Sequence, residues 1–197
     1  MKNKNTISTI VKIAILGALA FAVMLLEFPL PFFPPFYKLD FSETFVLIGG
    51  FALGWLPAVG IEALKILLNI IFTGTMTAYV GEFANFLIGL SYVLPAVFIY
   101  HHEKNRRNAI RGLIAGSICL VVFGAFLNAV VLLPAYSYFY NMPMDALIGM
   151  GTALIPMIRD RFTFVLFATA PFNLIKAVLT GILTMLVYKR ISPILHR

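Results

Sequence analysis

A chain of 197 residues with 61% apolar and 12% charged side chains, and a mean hydropathy of +0.95, carries more apolar surface than a soluble fold of that length can bury. It reads as a single membrane domain, 1–197, with no nucleotide-binding module, so any energy source is expected from another protein. The net charge of +7 gathers at the ends of apolar segments, which is a topology signal and excludes a nucleic-acid surface from the reading.

The first apolar stretch, Ile7–Leu26, places Ala14, Ala18 and Ala22 four residues apart with Gly17 beside them. Small residues at that spacing form a smooth ridge for close helix packing, either within the bundle or against a partner protein. The basic start resembles a secretory signal, but Glu27-Phe-Pro-Leu-Pro31 is a poor cleavage context. The loop Glu27–Asp40 follows. Its four prolines predict an extended path, and Phe32, Phe33, Phe36 and Tyr37 give it an aromatic surface that should fold back over the bundle. It reads as an interfacial anchor or as a lid over a flat ligand.

Phe41–Leu56 and Pro57–Phe72 are short and predict a helical hairpin turning at Gly54–Pro57. The second of them holds Glu62, Lys65 and Asn69 near one stripe, where an internal ion pair between the first two is expected. Ala78–Tyr100 opens with Glu82 and Asn85, suited to a ligand edge or to a tie with the preceding Thr73-Gly-Thr-Met-Thr77 turn. His101-His102-Glu103 are adjacent on a helix end and would not converge on one metal ion. Ile110–Leu133 contains the single cysteine, Cys119, which excludes an intramolecular disulfide, and Asn128, placed where it could meet Asn173. Met144–Ile158 is apolar but only about 22 Å long as a helix, too short to cross the hydrocarbon, and is expected to be interfacial or partly buried. In the last stretch, Phe162–Tyr188, Asn173 and Lys176 share one helix face. An amide beside an ammonium suits the edge of a planar, carbonyl-rich heterocycle; the alternative is inter-helix glue, with Lys176 paired to Glu62 or Glu82.

These stretches predict an all-α membrane bundle of six spans. The side holding both termini would carry ten basic residues (Lys2, Lys4, Lys12, Lys104, Arg106, Arg107, Arg111, Lys189, Arg190 and Arg197) and the other only Lys38, Arg159 and Arg161, so both termini are expected in the cytoplasm. No serine elbow, paired-histidine zinc motif, Gly-rich phosphate loop or Cys–His pair is present, and neither catalytic nor metal-binding residues are expected.

Phe36-Tyr-Lys-Leu-Asp-Phe-Ser-Glu43, Val80-Gly-Glu-Phe-Ala-Asn-Phe-Leu-Ile-Gly89 and Pro171-Phe-Asn-Leu-Ile-Lys176, with the alanine ridge, resemble the riboflavin-specific substrate-binding subunits of energy-coupling factor transporters over essentially the whole chain. The resemblance implies a bacterial plasma-membrane subunit that captures riboflavin, its cargo and not a cofactor. It would pass the vitamin to a shared module of one transmembrane coupling protein and two cytoplasmic ATPases. It also implies that Asn173, Lys176 and Asn128 hold the polar ring edge, that Glu82, Asn85, Tyr37 and Leu39 complete the site, and that Ala14, Ala18 and Ala22 dock the coupling protein. A subunit for another vitamin, or a stand-alone carrier using Glu62 and Glu82 as a proton relay, are the alternatives.

Overall fold

The computed structural model describes residues 2–195, apart from the side chains of 2–5 and 191–195. Arg197 and the side chains of Lys2 and Lys4, used above to argue orientation, lie outside the described residues.

The chain folds into a helical bundle. Helix α1 (Lys2–Met24) is followed by a loop containing the two-residue strands β1 (Phe28–Pro29) and β2 (Lys38–Leu39), then α2 (Glu43–Leu53), α3 (Trp55–Thr73) and α4 (Val80–His102). Helix α5 (Arg106–Leu127) runs through a π turn, Asn128–Leu132, into α6 (Leu133–Phe139). Helix α7 (Met144–Leu154) precedes α8 (Arg161–Phe164), which passes through a second π turn, Val165–Thr169, into α9 (Ala170–Leu195).

Sequence chemistry accounts for the breaks. Gly54 takes φ 108°, open to glycine and strained for other residues, so α2 ends there and the chain reverses into α3. The Asn105 side chain accepts from the backbone N–H of Asn108 and caps α5. Asp160 caps α8 reciprocally with Thr163, and those hydrogen bonds hold its carboxyl below the usual carboxylate range.

Among the described residues, five helices are long and apolar enough to cross a membrane: Thr6–Met24, Trp55–Thr73, Val80–His102, Arg106–Phe139 and Arg161–Arg190. The second expected span is shorter than the run Phe41–Leu56 suggested. Helix α2 has 11 residues, about 16 Å, and eight of them are buried against α1, α3, α4 and α9. It is a core element first, which is why its apolar pattern is continuous and not one-sided. The fifth stretch is longer than Ile110–Leu133, because Pro134 falls in the first turn of α6, where its missing N–H costs nothing. The Met144–Ile158 stretch contains α7, 11 residues long.

The loop departs from an extended path. Pro34 presets a turn closed by the Tyr37 N–H on its carbonyl at 2.9 Å, and β1 pairs antiparallel with β2, Phe28 opposite Leu39. An exposed Lys38–Glu27 ion pair at 2.6 Å spans the same hairpin. The loop does fold back: Phe33, Phe36, Tyr37 and Leu39 join an apolar cluster with Leu133, Phe164 and Phe172, whereas Phe32 is 77% exposed. The main core lies below, where α2 packs Val46, Leu47 and Phe51 against Ile61, Tyr92 and Val97.

Candidate functional site

Tyr37 is the keystone of the loop end of the bundle. Its hydroxyl donates to Asn128 Oδ1 at 2.8 Å and lies 2.5 Å from Thr169 Oγ1, while its ring stacks on Phe172 with centroids 5.1 Å apart. Burial pushes the phenol well above its ordinary pKa, so it stays a protonated donor. Asn128 opens the first π turn and Thr169 closes the second, and the two turns touch. Each π turn adds a residue to a helical turn and so re-aims the side chains around it.

One helical turn beyond Thr169, Asn173 is buried, and its amide nitrogen has no hydrogen-bond partner among the described residues. It reaches that position because Gly124 on α5 leaves room: a Cβ there would stand 2.5 Å from the Asn173 nitrogen. Asn128 therefore bonds the loop, and it is Gly124, one turn earlier, that faces Asn173.

Lys176, three residues on, donates to Asp40 Oδ2 at 2.8 Å. Asp40 is thus the carboxylate that balances Lys176, a partner the sequence left open; the alternative pairing with Glu62 or Glu82 is not the one formed. Asp40 also accepts from the Ser42 backbone N–H at 2.9 Å and from the Ser42 hydroxyl, a local loop that sets the entry to α2. Burial alone would raise the Asp40 carboxyl; the Lys176 and then the Lys65 ammonium outweigh it and hold the group well below the usual carboxylate range.

A second charged cluster lies deeper. Lys65 Nζ sits 2.7 Å from Glu43 Oε1 and 2.8 Å from Glu62 Oε1, all three fully or almost fully buried. The expected Glu62–Lys65 pair is present, but as one arm of a triad whose better-aligned partner comes from α2. Gly89 makes the triad possible, since a Cβ there would stand 2.6 Å from Glu62 and 2.9 Å from Glu43. With Asp40 and Lys176, three carboxylates and two ammonium groups reach from the loop into the core.

Of the remaining predicted residues, Leu39 is 2% exposed beneath the loop. Glu82 accepts from Thr75 at 3.0 Å and Thr77 at 3.4 Å, tying α4 to the turn before it. Asn85 is half-buried one turn further on. Ala14, Ala18 and Ala22 are all exposed, while Leu16, Gly17, Ala20 and Met24 face inward, so the ridge does not pack inside the bundle. Cys119 is exposed, His101 Nε2 lies 3.0 Å from the Gly50 carbonyl, and among the described residues no group of acidic, histidine and cysteine side chains could hold a metal.

Sequence reasoning passed over Thr169, Gly124, Glu43 and the pairing role of Asp40. Two of these carried a readable signal: Asp40-Phe-Ser42 is a helix-entry pattern, and Gly124 lies four residues before Asn128 on one face. The π turns carry no local sequence signature.

Comparison with known proteins places this geometry among transport subunits. Residues 8–188 match the family described as ECF transporter, substrate-specific component. The chain is 33% identical over 188 residues to the riboflavin transporter RibU of Staphylococcus aureus, covering 95% of this chain and 92% of that protein. It is 29% identical to the riboflavin transporter FmnP of Bacillus subtilis, covering 95% and 93%. A solved structure of the S component of a bacterial ECF transporter superposes with a TM-score of 0.75 at 32% identity, covering all of both chains.

Proposed function

The chain belongs to the ECF transporter substrate-specific component family, and from that premise we propose that it is the riboflavin-capturing subunit of such a transporter. It is a multi-pass protein of the bacterial plasma membrane and not an enzyme. The observation that carries the proposal is the buried Asn173 amide nitrogen without a partner, one turn from an ammonium already balanced by Asp40. An uncharged, flat heterocycle bordered by carbonyl oxygens and ring nitrogens satisfies such a donor and needs no counter-charge. Its apolar end suits the aromatic cluster of Phe33, Phe36, Phe164 and Phe172.

In this reading α2 counts as a sixth, short span, both termini are cytoplasmic, and the loop Glu27–Asp40 is the lid through which the vitamin enters from outside. Entry releases Tyr37 from Asn128 and Thr169, and closure restores the Lys176–Asp40 contact. The exposed alanine ridge of α1 is the docking face for the coupling protein, which with two ATPases supplies the energy. The proton-relay alternative loses ground because Glu62 is locked against Lys65 and Glu82 is tied to its turn.

The test is a competition. Protein purified after equilibration with equal riboflavin, biotin and thiamine should carry flavin, read from its visible absorbance. Retention of biotin or thiamine instead would assign the subunit to a different vitamin.

A further inference from the structure

At the end of the bundle away from the loop, a groove of about 990 Å³ opens between α5 and α9, with α4 as its floor. Its interior offers little to a polar guest. Tyr92 donates to the Ala177 carbonyl at 2.8 Å, Ser117 donates to the Leu113 carbonyl at 2.8 Å, and the Tyr100 and Tyr188 hydroxyls meet at 3.1 Å. The walls are apolar and open to the surroundings, with Ile114 57%, Ile182 54% and Leu186 66% exposed. At Gly181 a Cβ would stand 3.0 Å from the Tyr92 hydroxyl, so the missing side chain keeps the floor deep.

The rim has the opposite chemistry. Lys104, Arg106 and Lys189 border the groove where α5 begins and α9 runs out, and among the described residues none of them is in a salt bridge. The nearby carboxylate of Glu103 accepts from the Asn105 amide at 3.1 Å. An apolar channel with satisfied polar groups, ending in three unneutralised cations, is complementary to an anionic amphiphile. We propose that this groove is a binding site for one anionic phospholipid, its acyl chain lying between α5 and α9 and its phosphate held by Lys104, Arg106 and Lys189. The ligand is distinct from the transported solute: its phosphate sits at the basic rim away from the loop, while the inner end of the groove reaches Ala177, about one helical turn from Asn173.

The arrangement differs from a generic lipid annulus in that charge and channel coincide. Basic residues near a membrane surface each raise anionic-lipid affinity by about fivefold, but only a groove retains the lipid once the bilayer is removed. The full chain is reconstituted in nanodiscs containing equal phosphatidylglycerol and phosphatidylcholine, released into detergent, and weighed intact by native mass spectrometry. The expected result is one retained lipid per protein, with phosphatidylglycerol preferred by roughly tenfold or more. The triple variant Lys104→Gln, Arg106→Gln, Lys189→Gln should abolish the preference, and Gly181→Leu, which fills the floor, should abolish retention with the rim intact. Arg159→Gln, at the far end, should change neither. Equal retention of the two lipids, or a preference that survives the triple variant, would overturn the proposal. Unchanged lipid retention with loss of binding to the coupling protein would overturn it in favour of a protein contact.

Discussion

Asn173 and Lys65 show two ways in which a membrane protein holds a polar side chain away from water. Asn173 leaves a donor open, so its value lies in what it can bind. Replacing it with alanine removes that donor, and riboflavin affinity should fall by about 1–3 kcal/mol, read by titration, while the protein remains monodisperse. Lys65 is instead committed to Glu43 and Glu62. Lys65→Met leaves two buried carboxylates uncompensated and should destabilise the fold by about 3–5 kcal/mol, whereas Glu62→Gln leaves a one-to-one pair and should cost much less. Thermal unfolding in detergent checks both; equal effects would mean the triad is not the electrostatic unit described. The intrahelical half of this cluster was legible as Glu62 and Lys65 three apart. Glu43 and Asp40 were not assigned, because a partner on another element leaves no spacing to read.

Among the elements, α4 and α5 form the most extensive helix–helix contact, and their close approach depends on two glycines. A Cβ at Gly112 would stand 2.5 Å from the Ala96 carbonyl oxygen, and one at Gly116 would stand 2.3 Å from that of Tyr92. Backbone cannot swing aside as a side-chain tip can, so Gly116→Ala should destabilise the bundle by about 1–3 kcal/mol in the same unfolding measurement. A neutral result would show that the helices separate without cost. The sequence marked the apolar stretches well because a bilayer-spanning helix needs length and hydropathy alone, and both are local. It overestimated the length of α2 and drew the loop too extended, for two separate reasons. Burial by neighbouring helices, not lipid, explains the apolar run of α2, and a turn at Pro34 converts a proline-rich segment from an extended strand into a hairpin.

The whole molecule is proposed to carry three separate surfaces: a ligand end closed by the loop, an alanine ridge on α1, and the lipid groove. Ala14→Trp combined with Ala18→Trp places indoles on an exposed ridge far in sequence from the ligand residues, so riboflavin binding should persist while uptake in cells is lost. Normal uptake would mean that the ridge faces lipid only. The central claim is that the loop end of this bundle holds riboflavin, and the most direct measurement is a fluorescence titration of the detergent-purified protein with riboflavin. Saturable quenching at one flavin per chain, weakened in Asn173→Ala, is the expected result; unquenched, non-saturating fluorescence from the folded protein would contradict riboflavin binding at the loop end.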